Sequence, residues 1–259
     1  MKRTLIALMA LAGYAAAASL DYDIYKDDSS SPYNQGLLTV FDFDQGTAGS
    51  AANKAGGDTG GYSDKPLITY EGDNGYGTIN SAATRMWKSD LSLGDFTISM
   101  DVNTMTAGHL LTMRANNTEF IHLTSSAESP LTLTYSGVTG SVESTIGATS
   151  GDKTLDWATI TLVRSANILT LYVNGESQGS LTAKATTFSG LQIGALFGEG
   201  TQGGTSAPAI NATIDNLTIW GKALSAAEVS SFVIPEPTTA TLSLLALAGL
   251  AARRRRASR

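Results

Sequence analysis

The chain has 259 residues, with 17 lysines and arginines against 23 aspartates and glutamates, and a formal net charge of −6. This acidic balance argues against nucleic acid and anionic lipid as partners, because both carry negative charge. The chain has no cysteine, so an exported domain would take no stability from disulfides.

The N-terminal residues have the layout of a secretory signal peptide. Lys2 and Arg3 precede the apolar run Leu5 to Ala12, and Ala15 to Ala18 provide small residues for cleavage. The apolar run is well short of the ~20 residues that a spanning helix needs, which disfavours an uncleaved anchor. We predict a signal peptide over residues 1–18 and a mature chain that begins near Ser19.

Residues 19–35 are acidic and rich in tyrosine and serine. They are interpreted either as an extra edge strand or as a loose leader, and the sequence leaves both open. The domain that follows is predicted over residues 36–232, and the exported part of the chain, ~215 residues, is long enough for a single large β domain with its own core.

Alternating apolar and polar residues predict antiparallel strands in the middle of the chain. In FTISMDVN, Phe96 to Asn103, every second residue is apolar, which gives one core face and one polar face. Leu131 to Tyr135 and Leu169 to Val173 alternate in the same way. With the abundant glycine, serine and threonine, this pattern predicts an all-β fold.

The segment from Asp156 to Leu181 predicts a three-stranded meander. A strand with Ala158 at its start turns at Ser165 to Asn167 and returns through Leu169 to Val173. Asn174-Gly175 then supplies the two residues with positive φ that a type I′ hairpin turn requires.

A β-bulge is predicted near the end of the domain. Ile214 is followed by Leu217 and Ile219, and the odd first step breaks the period of two. We expect the bulge near Asp215 or Asn216.

One short helix is predicted after Gly221. Ser225 is a good N-cap, Glu228 stands three residues later as its capping-box partner, and Val229 and Phe232 offer apolar contacts.

The C-terminus carries a sorting pattern in three parts. Pro235, Glu236 and Pro237 precede the apolar run Thr241 to Ala252, and Arg253 to Arg256 follow it. Basic residues beside an apolar run fix the orientation of a membrane segment, so we do not interpret them as a nucleic-acid patch. The run reaches ~20 residues only if the prolines are included, so it is marginal as a transmembrane helix.

These three parts, in this order, resemble the PEP-CTERM sorting signal of Gram-negative bacteria. The resemblance implies that an exosortase-type membrane protease recognises Pro235, Glu236 and Pro237 and removes the tail, residues 233–259. The protein would be held transiently in the inner membrane by the C-terminal helix and then reach the outer surface or the extracellular matrix. A plain single-span anchor is the alternative. Between residues 19 and 240, 10 basic side chains stand against 23 acidic ones, a net charge of −13.

Five segments of the central domain, taken in order, resemble the laminin-G-like jelly rolls of the concanavalin A-like lectin/glucanase superfamily. They are FTISMDVN (Phe96 to Asn103), Trp157 with its strand, LYVNG (Leu171 to Gly175), LQIG (Leu191 to Gly194) and IDNLTIWGKALSAAEV (Ile214 to Val229). LTVFDFD, Leu38 to Asp44, resembles the opening strand of that family. The resemblance implies a two-sheet antiparallel jelly-roll sandwich, with the first and penultimate strands together and a short C-terminal helix packed outside.

The acidic residues do not predict catalysis. Retaining glycoside hydrolysis needs two carboxyl groups about 5 Å apart, which alternate positions on a strand can supply. Asp42 and Asp44 form such a pair in the predicted opening strand, where relatives of this fold do not place catalysis, and the glutamates are isolated. We therefore expect a non-catalytic protein and rank a hydrolase last.

Asp42, Asp44 and Asp215 are candidate calcium ligands, because calcium is bound by several carboxylate and carbonyl oxygens. The resemblance implies an ion where early and late strands meet, with Asp215 at the acidic position of the family before the last strand. The alternative is that Asp215 caps the bulge and the other two are solvated.

His109 and His122 bracket a predicted hairpin, HLLTMRANNTEFIH, and cross-strand pairing would bring them together. Two histidines without a third ligand are a poor metal site, so we expect surface or edge roles.

Exposed aromatic rings are the usual means of stacking on a sugar, because they bury area while a polar rim binds hydroxyls. The candidates are Tyr62, Tyr76 and Trp87, with packing of loops against the sandwich as the alternative role. We expect Trp157 and Trp220 to be buried.

These observations predict an exported, non-catalytic cell-surface or matrix protein. The first hypothesis is a glycan-binding or adhesion module, and the second is a structural component of the extracellular polymer matrix without a discrete ligand. The expected partners are the sorting protease and extracellular glycans, with contact to a membrane only through the C-terminal tail.

Overall fold

The structure is a computed structural model of the chain. It describes residues 33–43, 67–71, 74–80, 86–88, 91–126, 129–136, 138–147, 157–194 and 210–231.

Within these residues the chain forms fourteen β-strands and one short helix. The strands of the first half are β1 (Leu37–Phe41), β2 (Leu67–Glu71), β3 (Asn74–Ile79), β4 (Met86–Lys88), β5 (Phe96–Met105), β6 (Gly108–Arg114) and β7 (Phe120–Ser126). The second half contains β8 (Ser129–Tyr135), β9 (Val142–Gly147), β10 (Ala158–Ser165), β11 (Ile168–Val173), β12 (Glu176–Thr182), β13 (Gly190–Ile193), β14 (Ala212–Trp220) and helix α1 (Ala226–Ser231). The predicted all-β fold with one short C-terminal helix is confirmed.

The described strands form two antiparallel sheets. The large sheet has the order β12-β11-β10-β5-β14-β3-β2, and β1 also pairs with β14. The small sheet has the order β4-β13-β6-β7-β8-β9. The first strand therefore lies beside the last described strand, and the expectation that it lies beside the penultimate one is wrong.

The main core lies between the two sheets. Alternation turns Phe96, Ile98 and Met100 of β5 inward, and Leu123 and Leu133 of the small sheet join the same cluster of buried residues. A second, smaller cluster lies on the outer side of the large sheet, where Trp220, Leu224 and Val229 pack under α1. One face of the large sheet is thus partly covered by the helix.

The predicted meander is β10, β11 and β12, and both of its turns have positive φ angles. Asn174 and Gly175 have φ angles of 47° and 75°, as the type I′ turn requires. The turn between β10 and β11 contains Ala166 and Asn167 at 47° and 73°.

The predicted bulge in β14 is confirmed. The pairing of β14 with β5 shifts register between Asp215 and Thr218. Asn216 takes the left-handed conformation there, with a φ angle of 50°. The opening strand is shorter than predicted, because β1 ends at Phe41 and leaves Asp42 beyond it.

The ends of the described domain are held together. The Ser225 backbone N–H donates to Glu228 Oε2 at 2.6 Å, and Glu228 N–H donates to Ser225 Oγ at 3.3 Å, which confirms the capping box. Tyr33, assigned by the sequence to the leader, accepts a hydrogen bond at its carbonyl from Trp220 Nε1 at 2.7 Å. Its hydroxyl donates to the Glu228 carbonyl at 3.2 Å and contacts Ser231 Oγ.

Candidate functional site

The outer face of the small sheet, turned away from the core, carries the polar residues and rings of the candidate site. On β6 and β7 the inward residues Leu111, Met113, Ile121 and Leu123 belong to the core cluster. Because side chains alternate across a strand, the residues between them face outward. The described outward positions are His109, Thr112, Arg114, Phe120, His122, Thr124, Thr132, Thr134, Glu143 and Gln192.

Three rings form a continuous row on this face. Phe120 stacks on His122 with ring centroids 5.7 Å apart and an interplanar angle of 17°. His109 meets His122 edge to face, also at 5.7 Å, with an angle of 67°. Phe120 is 4% exposed, whereas both histidines are half-buried. We call Phe120, His122 and His109 the ring row; its two histidines are the rings that are partly exposed to solvent.

Both histidines of the ring row are held neutral. Burial and, to a smaller extent, the neighbouring His109 together lower the pKa of His122 to about 4. Burial also lowers the pKa of His109. His109 Nδ1 is buried with no hydrogen-bond partner in the described part of the chain, so a proton there would be an unsatisfied buried donor. The ring row is therefore uncharged at neutral pH.

Hydroxyl and amide groups flank the ring row along one line across the sheet. Register pairs Trp87 with Gln192, Gln192 with Thr112, and Thr112 with His122, which pairs with Thr134 in turn. Thr112 and Gln192 are 0% exposed, whereas Thr134 is half-buried. Along this line, the accessible positions thus begin at β7 and continue across β8.

The two predicted sugar-stacking residues that the structure describes, Tyr76 and Trp87, belong to strands of different sheets. Tyr62 lies outside the described residues. Tyr76 is in β3 of the large sheet, where its half-buried ring meets Trp157 edge to face at 6.3 Å. Trp87 is in β4 of the small sheet, at the register position opposite Gln192.

The two other tryptophans differ in burial. Trp220 is 1% exposed, as predicted. Trp157 is half-buried rather than buried, because it precedes β10 instead of lying within the strand.

Two of the three predicted calcium ligands, Asp42 and Asp215, lie near the junction of β1 and β14. Asp42 follows Phe41, which pairs with Leu217, and Asp215 precedes Leu217 by two residues. Asp215 Oδ1 accepts the backbone N–H of Asn216 at 2.7 Å, as a bulge cap does. Asp44 lies outside the described residues, and those residues hold no group of three His, Asp or Glu side chains able to bind a metal. Calcium binding stays a prediction.

The sequence did not reveal a second acidic position, Asp101, that pairs with Asp215 across β5 and β14. Asp101 Oδ1 accepts from Thr159 Oγ1 at 2.7 Å, and Oδ2 accepts from Asn216 Nδ2 at 2.8 Å. Asp101 is 6% exposed, and burial raises its pKa against the effect of these two hydrogen bonds. Its oxygens are occupied and shielded, so this pair is not an accessible acid pair. Only the strand register, which the sequence does not give, brings the two residues together.

The sequence predicted only the histidine pair of the ring row. The sequence predicted that the β6–β7 hairpin brings His109 and His122 together, and this is confirmed. Phe120 was not singled out, although it stands two residues before His122 and therefore shares its face.

The predicted sorting residues Pro235, Glu236 and Pro237 lie outside the described residues, as does the apolar run Thr241 to Ala252. Among the helices that the structure describes, none has the length and apolar character to cross a membrane.

Two solved structures show the same fold at low sequence identity. Domain 4 of AbnA, an extracellular arabinanase of Geobacillus stearothermophilus, in complex with arabinotriose, is 15% identical with a TM-score of 0.56, over 76% of this chain and 98% of that one. A Trypanosoma rangeli sialidase in complex with 2,3-difluorosialic acid is 12% identical with a TM-score of 0.51. That match covers 76% of this chain but 32% of the sialidase, so it concerns a part of the larger protein.

Comparison with curated protein sequences finds no match. The Laminin_G_3 family model, described as concanavalin A-like lectin/glucanases superfamily, matches residues 71–230. With that match over more than half of the sequence and the two-sheet fold that accompanies it, the chain belongs to the concanavalin A-like lectin/glucanases superfamily.

Proposed function

We propose that the chain is a non-catalytic glycan-binding module and that it binds sugar on the outer face of the small sheet. The observation that carries this proposal is the ring row, in which half-buried His122 and His109 lie beside the hydroxyl groups of neighbouring strands. Planar rings beside hydroxyl groups are the combination that sugar recognition uses.

Threonines supply the hydroxyl groups of the proposed sugar-binding face. Thr124 pairs with both His109 and Thr132, and Thr134 pairs with His122. Neighbouring strands lie about 4.8 Å apart, so the paired residues Thr124 and Thr132 present their hydroxyl groups side by side across the sheet. All three threonines are half-buried and therefore reachable from solvent.

The fold likeness is in keeping with the proposal without establishing it. The AbnA domain, whose structure contains arabinotriose, has the same fold over 98% of its length. One fold hosts many functions, so the ring row, and not the likeness, carries the proposed function.

We propose a non-catalytic module because of the positions of the acidic side chains. The cross-strand carboxylates Asp101 and Asp215 belong to the large sheet, and both oxygens of Asp101 accept hydrogen bonds from neighbouring side chains. On the outer face of the small sheet, the described residues include one carboxylate, Glu143 of β9. Hydrolysis of a glycosidic bond needs two.

Export and surface display belong to the same proposal. We infer them from the N-terminal signal pattern of residues 1–18 and from Pro235, Glu236 and Pro237 before the apolar run and the arginines. In this scheme the sorting protease releases the domain, and the module then attaches to extracellular glycans.

A glycan array with the full-length chain tests the proposal. We expect binding to at least one defined glycan, and we expect His122→Ala to weaken it about tenfold, which corresponds to about 1.4 kcal/mol of lost contact. Thr182→Ala, at an exposed position in β12 of the large sheet, is the matched control and should bind as the parent does. No binding on a broad array, with calcium or with chelator, would favour the structural matrix role instead.

A further inference from the structure

Few charged side chains lie around the ring row. On the outward positions of the described small sheet, Arg114 of β6 and Glu143 of β9 are the two acidic or basic residues besides the histidines. Strands β8 and β13 contribute threonines and Gln192. Glu119, in the turn before β7, accepts from Tyr135 Oη at 2.7 Å and from Asn116 Nδ2 at 2.5 Å, so both of its oxygens are engaged at the sheet end.

The packing of the ring row requires that its histidines stay neutral. Their ring centroids are 5.7 Å apart, so two positive charges would repel each other strongly in a half-buried setting. Phe120, stacked on the other side of His122, removes water that would otherwise solvate a charged ring. The rings therefore offer apolar faces and neutral nitrogens, and they do not act as a cationic pocket.

The negative net charge of the predicted exported part of the chain also disfavours acidic ligands. Between residues 19 and 240 there are 10 basic and 23 acidic side chains, which gives −13. A polyanion would be repelled by this field at low ionic strength. On the described face itself, the one arginine and the one glutamate balance each other in charge.

Building on the glycan-binding function proposed above, we propose that the outer face of the small sheet selects uncharged glycans. In this arrangement His122 and His109 present neutral rings to sugar faces and hydroxyl groups. Binding should then depend little on salt, and it should be lost in acid, where protonation places two repelling charges in the row.

Affinity electrophoresis of the full-length chain tests the ligand class. Gels containing an uncharged polysaccharide, such as arabinan or a β-glucan, are compared with gels containing polygalacturonate or a sulfated polysaccharide. We expect retardation by an uncharged polymer, with Kd changed less than about twofold when salt rises to several times the physiological level. Retardation by the acidic polymers alone, or a Kd that weakens about tenfold with salt, would overturn the inference. No retardation by any polymer would instead contradict the glycan-binding function itself.

A variant pair tests the role of the histidines. In His109→Gln/His122→Gln, the amides keep hydrogen-bonding groups but do not protonate near pH 4. We expect the parent to lose at least about tenfold in affinity from about pH 7 to about pH 3, one unit below the pKa of His122, whereas the double variant keeps its own neutral-pH affinity within about twofold. Equal losses in both proteins would refute the role of the histidines. Thr182→Ala should lose affinity as the parent does, and tryptophan fluorescence verifies that each protein is folded at both pH values.

Discussion

Asp101 is an acidic side chain held almost entirely out of water on the large sheet. Thr159 and Asn216 each donate a hydrogen bond to one of its oxygens, at 2.7 and 2.8 Å. Burial is nevertheless the largest influence and raises its pKa above 3.8, so the folded state favours the protonated acid more than the unfolded state does. The consequence is a stability contribution that is complete below about pH 3.8 and is lost as pH rises through the raised pKa.

Asp101→Asn should remove this pH dependence. Its amide oxygen still accepts from Thr159, and the Asn216 amide can turn to accept from the new amide nitrogen. We expect the variant to gain stability relative to the parent as pH rises from about 4 to about 7, measured by urea unfolding. Thr182→Ala, which changes no titratable group, should keep a constant difference from the parent. Parallel curves for Asp101→Asn and the parent would contradict the assignment.

His122 acts with the opposite sign. Its folded pKa of about 4 lies below the ordinary value of 6.5, so the unfolded state binds more protons between these values. Stability from this group is therefore lost as pH falls from about 6.5 to about 4. The Asp101 effect is accordingly measured as a difference between variant and parent, in which His122 cancels.

The predicted calcium site is tested at Asp215. If calcium binds there, on the order of 1 mM calcium should raise the melting temperature of the parent but not that of Asp215→Ala. Glu176→Ala, at an exposed position in β12, should retain the rise. An equal rise in Asp215→Ala would remove this residue from the site.

At the scale of elements, the two sheets meet closely where β13 ends. Gly194 has a φ angle of 84°, and a Cβ atom there would lie 2.5 Å from Ile79 Cγ2 of β3. Gly140 also has a positive φ, 124°, but a Cβ atom there would meet nothing within 4 Å. A comparison of alanine substitutions at these two glycines therefore distinguishes the cost of backbone strain from the cost of a clash between the sheets.

Gly194→Ala should cost more stability than Gly140→Ala. Both variants carry the strain of an alanine at positive φ, and the first also overpacks the contact with Ile79. We expect an additional loss of about 1–3 kcal/mol in the free energy of unfolding, measured in urea. Equal losses would mean that Ile79 moves aside without cost.

Local patterns in the sequence predicted the strands and the helix well. The long-range pairings of strands could not be predicted, because the sequence does not give the strand register. The alternation of apolar and polar residues predicted β5 and the β10–β12 meander. The break in that alternation at Asp215 predicted the bulge, and the spacing of Ser225 and Glu228 predicted the start of the helix. These features depend on neighbours within a few residues. The partner of β1 and the pairing of Asp101 with Asp215 depend on contacts over more than 100 residues, which no local pattern encodes.

At the scale of the whole molecule, the ring row and the two ends of the described domain lie on different sheets. Tyr33 and α1 meet on the outer side of the large sheet, whereas His109 and His122 lie on the outer face of the small sheet. A domain held through the residues after Ser231 therefore presents its proposed ligand face away from the attachment.

Because the chain has no cysteine, one introduced thiol can fix its orientation on a maleimide surface. We expect protein attached through Thr182→Cys, on the large sheet, to capture glycan, and protein attached through Thr134→Cys, beside the ring row, to fail. Each variant is first shown to bind the glycan in solution. Equal capture by both surfaces would place the ligand elsewhere.

The contact between Tyr33 and Ser231 also bears on how freely the chain can be reconnected. Since the two residues touch, a short glycine-rich bridge can join them without crossing a strand, and new termini can be opened at the Asn174-Gly175 turn. Such a circular permutant should keep every strand pairing, because the order of strands in space does not depend on where the polypeptide starts.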